Sequence, residues 1–152
     1  RGDDDLDWSR LEHADGVYLT AGDAGAVRRS RAARRLVANP RVGEPLDDPT
    51  LMFDALVFSD ADAEEVELAG RLSSHSRLMV GTDGGRGGRW WGESEGTWSA
   101  VPPPGPIRDS YGCGDAFAAA LTFGLAQGLP PAAAVEIGAR CGARMLTSVG
   151  AP

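Results

Sequence analysis

Asp109-Ser110-Tyr111-Gly112-Cys113-Gly114-Asp115-Ala116-Phe117 is the stretch where the chain concentrates residues that chemistry, and not packing alone, requires. Two glycines flank Cys113, a carboxylate follows at once, and residues 116–121 begin an apolar, alanine-rich run with the composition of a helix. A glycine loop therefore runs into a helix N-terminus, where the first backbone N–H groups have no intrahelical acceptor and the helix dipole is positive. Such a loop can cradle an anion, a phosphate above all, with Asp115 at the edge of the cradle. The same residue types also make ordinary caps and turns, and taken alone they leave both readings open. Cys113 has two readings as well. A helix N-terminus lowers a thiol's pKa and makes it reactive, while a small residue that fits the loop needs no reactivity at all.

Downstream, residues 116–127 and 132–146 read as two helices broken by Gly128-Leu129-Pro130-Pro131. Gly138, Ala139, Cys141, Gly142 and Ala143 allow the pair to pack closely. Upstream, a proline–glycine linker over residues 102–106 follows two antiparallel strands at 89–92 and 96–101. Their tryptophans, Trp90, Trp91 and Trp98, fit cross-strand packing in a hairpin better than a base-stacking platform.

The chain before the hairpin alternates strand and helix. A short helix up to His13 leads to a buried strand at 17–20, and residues 24–38 have a helical composition stopped by Asn39-Pro40. Arg28, Arg31 and Arg35 would share a face of that helix, a solvated one in a chain without interleaved aromatics. Residues 41–50 form a connection, 53–59 a strand, 61–72 a helix with Val66, Ala69 and Leu72 on one side, and 77–81 another strand. Strand and helix alternating at these lengths predict parallel βαβ units, an α/β fold with helices covering a sheet. Ligands in such sheets collect at the carboxyl ends of the strands.

Composition narrows the chemistry. With 152 residues one α/β domain, 1–152, is the expectation, and a formal charge of −7 argues against general binding to nucleic acid or an anionic membrane. No apolar run approaches the roughly 20 residues that span a bilayer, and the acidic start is unlike a signal peptide, so a cytoplasmic location is expected. All 15 basic residues are arginine, which excludes a P-loop lysine, a Schiff base and a Ser–Lys dyad from this chain. Cys113 and Cys141 lack a Cys-x-x-Cys spacing, and His13 and His75 stand alone, so neither structural zinc nor a disulfide framework is expected.

Residues 109–117 resemble the C-terminal signature of the ribokinase-like (PfkB) carbohydrate kinases, Asp-Thr/Ser-x-Gly-Ala-Gly-Asp-x-Phe, with Cys113 in place of the alanine. The resemblance implies a three-layer αβα fold with a mainly parallel sheet and ATP-dependent phosphoryl transfer to a hydroxyl of a sugar or nucleoside. It implies Asp115 as the base, Gly112, Cys113 and Gly114 as the anion hole, and Asp109 as a residue that places the loop or the acceptor. Thr82-Asp83-Gly84-Gly85-Arg86-Gly87 is similar to the family's Thr-Leu-Gly-x-x-Gly loop, which puts Thr82, Gly84 and Gly87 beside the nucleotide. Ser59-Asp60-Ala61-Asp62 stands where the family carries Asn-x-x-Glu, leaving Asp62 to order water on Mg2+. The tail at 147–151 resembles the segment that closes over adenine and, in many members, helps hold a monovalent cation.

The resemblance aligns with the C-terminal half to two-thirds of a typical member. The first βα units, the lid sheet and the N-terminal glycine motif that holds the sugar are absent from the sequence. The lid commonly forms a homodimer interface in this family, so a homodimer is open here too. Two rival functions stay in view. One is a vitamin-type kinase acting on a hydroxymethyl group; the other is a non-catalytic nucleotide or sugar sensor, favoured by Asp62 and Asp83 at altered positions.

Overall fold

The computed structural model describes residues 1–149. Six strands lie side by side in chain order: β1 (Val17–Leu19), β2 (Leu36–Ala38), β3 (Ala55–Ser59), β4 (Leu78–Thr82), β5 (Gly88–Gly92) and β6 (Gly96–Trp98). The first four are parallel, with Val17 opposite Leu36, Val37 opposite Ala55 and Val57 opposite Val80. The last two turn back, Gly81 facing Arg89 and Arg89 facing Thr97. Helices α1 (Ala24–Ser30) and α2 (Ala63–Leu72) connect parallel strands, and α3 (Cys113–Ala126) and α4 (Pro131–Met145) end the fold.

Strand β3 explains the three layers. Leu56 and Phe58 join a core with Val27 of α1 and Ala69 and Leu72 of α2. Ala55 and Val57 point the other way, to Phe117, Ala118 and Leu121 of α3 and Ala134 and Val135 of α4. A strand covered on both faces needs a continuous apolar run and not an alternating one. Small residues bring the last two helices together, since a Cβ on Gly124 would lie 2.9 Å from Ala134 and one on Gly138 would lie 3.0 Å from the Phe117 ring. The hairpin tryptophans pack: Trp90 stacks on Trp98 at 6.2 Å between centroids, and Trp98 stacks on Phe117 at 5.4 Å.

Two expectations change. The helix predicted over 24–38 ends at Ser30, and Leu36-Val37-Ala38 is strand β2, each residue 0% exposed. Burial on both faces of the sheet overrides the helical composition of the segment. The three arginines accordingly share no helical face: Arg28 pairs with Asp48, while Arg31 and Arg35 converge on the buried Asp54, at 2.9 and 2.8 Å. On α2 the inward face is Glu65, Ala69 and Leu72, with Val66 left 40% exposed. Glu65 turns in because its carboxylate accepts from the Ser59 N–H at 2.6 Å and pairs with Arg41.

Parallel strands bring their carboxyl ends to one edge of the sheet. The segments leaving that edge include Ser59 to Asp62 after β3 and the Thr82 to Gly87 loop after β4. Of the tail expected to close over adenine, residues 150 and 151 lie outside the described residues.

Candidate active site

Gly112 caps α3 with φ +79°, ψ 0°, a left-handed backbone that glycine adopts without strain. This turns the chain abruptly from the 109–112 loop into the helix. Asp109 holds the loop's shape: its Oδ1 accepts from the Tyr111 N–H at 2.9 Å. The loop is tied to the end of α4, where the Leu146 carbonyl accepts from the Arg108 N–H at 2.8 Å.

The Cys113 N–H donates to Ser110 and the Ala116 N–H to Gly112, whereas the N–H groups of Gly112, Gly114 and Asp115 have no acceptor among the described residues. A Cβ built on Gly114 would meet nothing within 4 Å. This turn combines free donors, a positive helix end and open space, the features by which helix N-termini in general bind oxyanions. Asp115 is exposed on the same turn and receives the Tyr18 hydroxyl, which donates to its Oδ1 at 3.2 Å.

Sequence reasoning missed Tyr18. The available signal was a half-polar side chain in a three-residue buried strand, since a buried tyrosyl O–H usually finds an acceptor. Burial foremost, and then the charge of Asp115, push the Tyr18 phenol far above its ordinary range, so it is a neutral donor. The thiol of Cys113 behaves opposite to the expectation for a helix N-terminus. Burial, and then the charge of Asp109, push it up, which leaves a small residue fitted to the loop and not an activated nucleophile.

The other candidates leave the same edge of the sheet. Thr82 Oγ1 donates to the Phe58 carbonyl at 3.2 Å, tying the start of its loop to β3. Gly84, with φ +51°, faces open space, as does Gly85. Gly87 is needed by the hairpin itself: at φ +96° an added Cβ would lie 2.0 Å from the Trp98 carbonyl oxygen. Asp83 is clamped by Arg86, whose hydrogen bond holds the carboxyl below its usual range.

Asp62 caps α2, its Oδ1 accepting from the Glu64 and Glu65 N–H groups at 3.0 and 3.2 Å, while its Oδ2 pairs with Arg41 at 2.8 Å. Arg41 foremost, then the Glu65 amide, hold this carboxyl below its usual range. Arg41 and Glu65 were also missed from sequence, because their pairing joins the end of β2 to α2 across a connection with no regular period. Among the described residues no three carboxylate, imidazole or thiol groups converge as metal ligands would. Nor is any described helix long and apolar enough to cross a membrane.

Residues 52–152 match the model of the pfkB family carbohydrate kinases. An acarbose 7(IV)-phosphotransferase from Actinoplanes sp. is 41% identical over 75 residues, covering 47% of this chain and 25% of that protein. A microbiome-derived acarbose kinase superposes with a TM-score of 0.74 at 24% identity, over 99% of this chain and 56% of that one. Arabidopsis thaliana ribokinase, solved with ribose and ATP, gives a TM-score of 0.74 at 15% identity, over 97% of this chain and 55% of that one. The chain thus spans about half the length of the solved structures it matches. The glycine turn at the head of α3, the three-layer sheet behind it and the family match over two-thirds of the sequence agree, and the chain belongs to the pfkB family of carbohydrate kinases.

Proposed function

We propose that this chain is the catalytic and nucleotide-binding portion of an enzyme that transfers the γ-phosphoryl group of ATP to a hydroxyl of a sugar or nucleoside. One observation carries the reading: an exposed carboxylate, Asp115, stands with three N–H groups that have no partner among the described residues, at the cap and first turn of a helix, with open space above. Phosphoryl transfer asks a protein for little covalent chemistry; it needs the oxygens held, charge offset and the acceptor hydroxyl oriented.

The N–H groups of Gly112, Gly114 and Asp115 hold the transferred oxygens, and the carboxylate of Asp115 accepts the acceptor's proton as the new bond forms. A carboxylate is in general a weak base toward a hydroxyl proton. Positioning outweighs basicity when the transition state is loose and the proton leaves late. Asp109 sets the loop, and Thr82, Gly84 and Gly87 shape the nucleotide side. Mg2+ accompanying ATP would supply positive charge against the phosphates while keeping most of its waters. Asp62 would hold such an ion only through water, since both of its oxygens already have protein partners. A cytoplasmic location, where ATP is available, goes with this reading.

The names of two relatives make acarbose the first acceptor to try. A second reading, a nucleotide or sugar sensor without turnover, is favoured by the engagement of Asp62 with Arg41. A coupled ATP-consumption screen of the full-length protein over acarbose, sugars, nucleosides and hydroxymethyl compounds separates the two when run beside a thermal-shift screen. Consumption dependent on one acceptor supports the kinase; stabilisation by ATP or a sugar with no consumption for any acceptor supports the sensor.

A further inference from the structure

Tyr18 reaches Asp115 across 97 residues of sequence, and the two elements that carry them are packed so as to fix that contact. On β1 the neighbours Val17 and Leu19 face the core shared with α1 and α2, and Tyr18 alone faces α3 and α4. On α3 the face that meets β1 includes Thr122 and Ala126, for a Cβ on Gly16 would fall 3.0 Å from Thr122 Cγ2 and 3.2 Å from Ala126 Cβ. Asp115 is seven residues before Thr122, two turns along the same stripe of the helix and about 10 Å from it. Tyr18 is two residues beyond Gly16, about 7 Å along the strand. The tyrosyl side chain bridges the remainder.

The Tyr18 hydroxyl is the sole polar side-chain partner of Asp115 among the described residues, and it engages Oδ1 alone. Oδ2 is left without one. A carboxylate at the exposed end of a helix turns about two side-chain torsions unless something holds it. Besides burial, the charge of Asp115 on α3 and then that of Glu65 at the head of α2 push the phenol's pKa up, while Asn39, just after β2, opposes them. Tyr18 is thus a neutral donor in an acidic surrounding, and it has a proton to give Oδ1 throughout the working range of pH.

We propose that Tyr18 is the positioning residue for the catalytic base: by holding Oδ1 it turns Oδ2 of Asp115 toward the acceptor hydroxyl. The proposal rests on the kinase reading above. In the step itself the acceptor O–H bond breaks and its proton passes to Oδ2; the acceptor oxygen bonds to the γ-phosphorus, and the bond from that phosphorus to the β-phosphate oxygen breaks to release ADP. Tyr18 keeps its own proton throughout and exchanges none with the substrate. Its contribution is to the fraction of enzyme molecules with Oδ2 in place, which appears in kcat and not in nucleotide binding.

The test is Tyr18→Phe in the full-length protein, a change that keeps the ring packed on α3 and removes the hydroxyl alone. The expected result is a fall in kcat of about 10- to 100-fold with KM for ATP within about twofold and thermal stability nearly unchanged. A kcat within about twofold of wild type overturns the proposal. So does a loss shared between KM for ATP and melting temperature, which is the mark of a merely structural tyrosine. The pairing is also read without turnover, by the 295 nm absorbance titration of Tyr18, isolated by subtracting the Tyr18→Phe protein. Asp115→Asn is expected to lower the pH at which this phenol ionises, and an unchanged midpoint contradicts the pairing. Should the wild-type protein phosphorylate no acceptor, the kinase reading fails by itself, and this titration still decides whether Tyr18 answers to Asp115.

Discussion

Replacing Gly114 by alanine separates a glycine kept for the fold from one kept for a ligand. The fold has no use for glycine here: its φ is not positive, no atom lies within 4 Å of an added Cβ, and the residue sits inside the first turn of α3. Alanine in a helix is favoured over glycine by about 0.5–1 kcal/mol, or about 1–4 °C in melting temperature for a domain of this size. Turnover should move the other way. An oxyanion held by the Gly114 and Asp115 amides approaches their nitrogens to about 2.9 Å, and a methyl group set into the open space displaces it. A misplacement of about 1 Å costs about 100-fold in rate, or about 2.7 kcal/mol. The assay pairs a thermal melt with steady-state kinetics of the full-length protein in an ATP-consumption assay. A melting temperature equal to or above wild type with kcat/KM lowered about 100-fold is the predicted pair. Turnover within about twofold of wild type refutes the phosphate cradle, and a melt lowered by several degrees refutes the claim that the fold does not need this glycine.

Two further predictions concern the frame that holds the site. Asp54 is 9% exposed and accepts from the Leu36 N–H, Arg31 and Arg35. Asp54→Ala should cost about 2–3 kcal/mol, below the roughly 3–5 of a fully buried pair because both arginines keep access to water, and lower the melt by about 5–10 °C. Burial pulls the Asp54 carboxyl up but is overcome by the Leu36 amide and the two arginines, so its pKa lies below the usual value. A depressed carboxylate stabilises fully above its unfolded pKa of about 3.9 and loses that contribution as pH falls through the folded value. The gap between wild-type and variant melts should therefore shrink below about pH 4; a gap that stays constant into acid contradicts this account. Gly87→Ala meets the Trp98 carbonyl at 2.0 Å with φ at +96° and should cost at least about 3 kcal/mol, with loss of the near-ultraviolet tryptophan signal of the hairpin. A melt within about 1 °C of wild type would show the hairpin entry to be looser than described.

The parts of the fold with a strong local signal were legible from the sequence. The apolar run of β3, the glycine–proline break between α3 and α4, and the hairpin with its tryptophans all carry their own periodicity or punctuation. Strand β2 was hidden, because Leu36-Val37-Ala38 is only three residues long and follows an arginine-rich segment of helical composition without a break. What makes it a strand is burial between two helical layers, a property of the assembled sheet. The same reason hid the partners of the site. Residues 109–115 announce themselves as a glycine turn before a helix, but Tyr18 meets Asp115, and Arg41 meets Asp62 and Glu65, only once parallel strands bring their carboxyl ends to one edge. Nor does motif position reveal that the oxygens of Asp62 cap α2 and pair with Arg41. For Cys113, burial and the nearby charge of Asp109, both of which raise the thiol's pKa, are likewise visible only in the folded chain.

The central claim is that Asp115 takes the acceptor's proton while the neighbouring amides hold the phosphate. Asp115→Asn in the full-length protein keeps the size of the side chain and removes its ability to accept that proton. The measurement is single-turnover phosphoryl transfer to the acceptor found in the screen, alongside the dissociation constant for ATP. The account predicts a rate lowered by about 10²–10⁴-fold with ATP affinity within about threefold of wild type. A variant that transfers phosphate at a rate near wild type would contradict it.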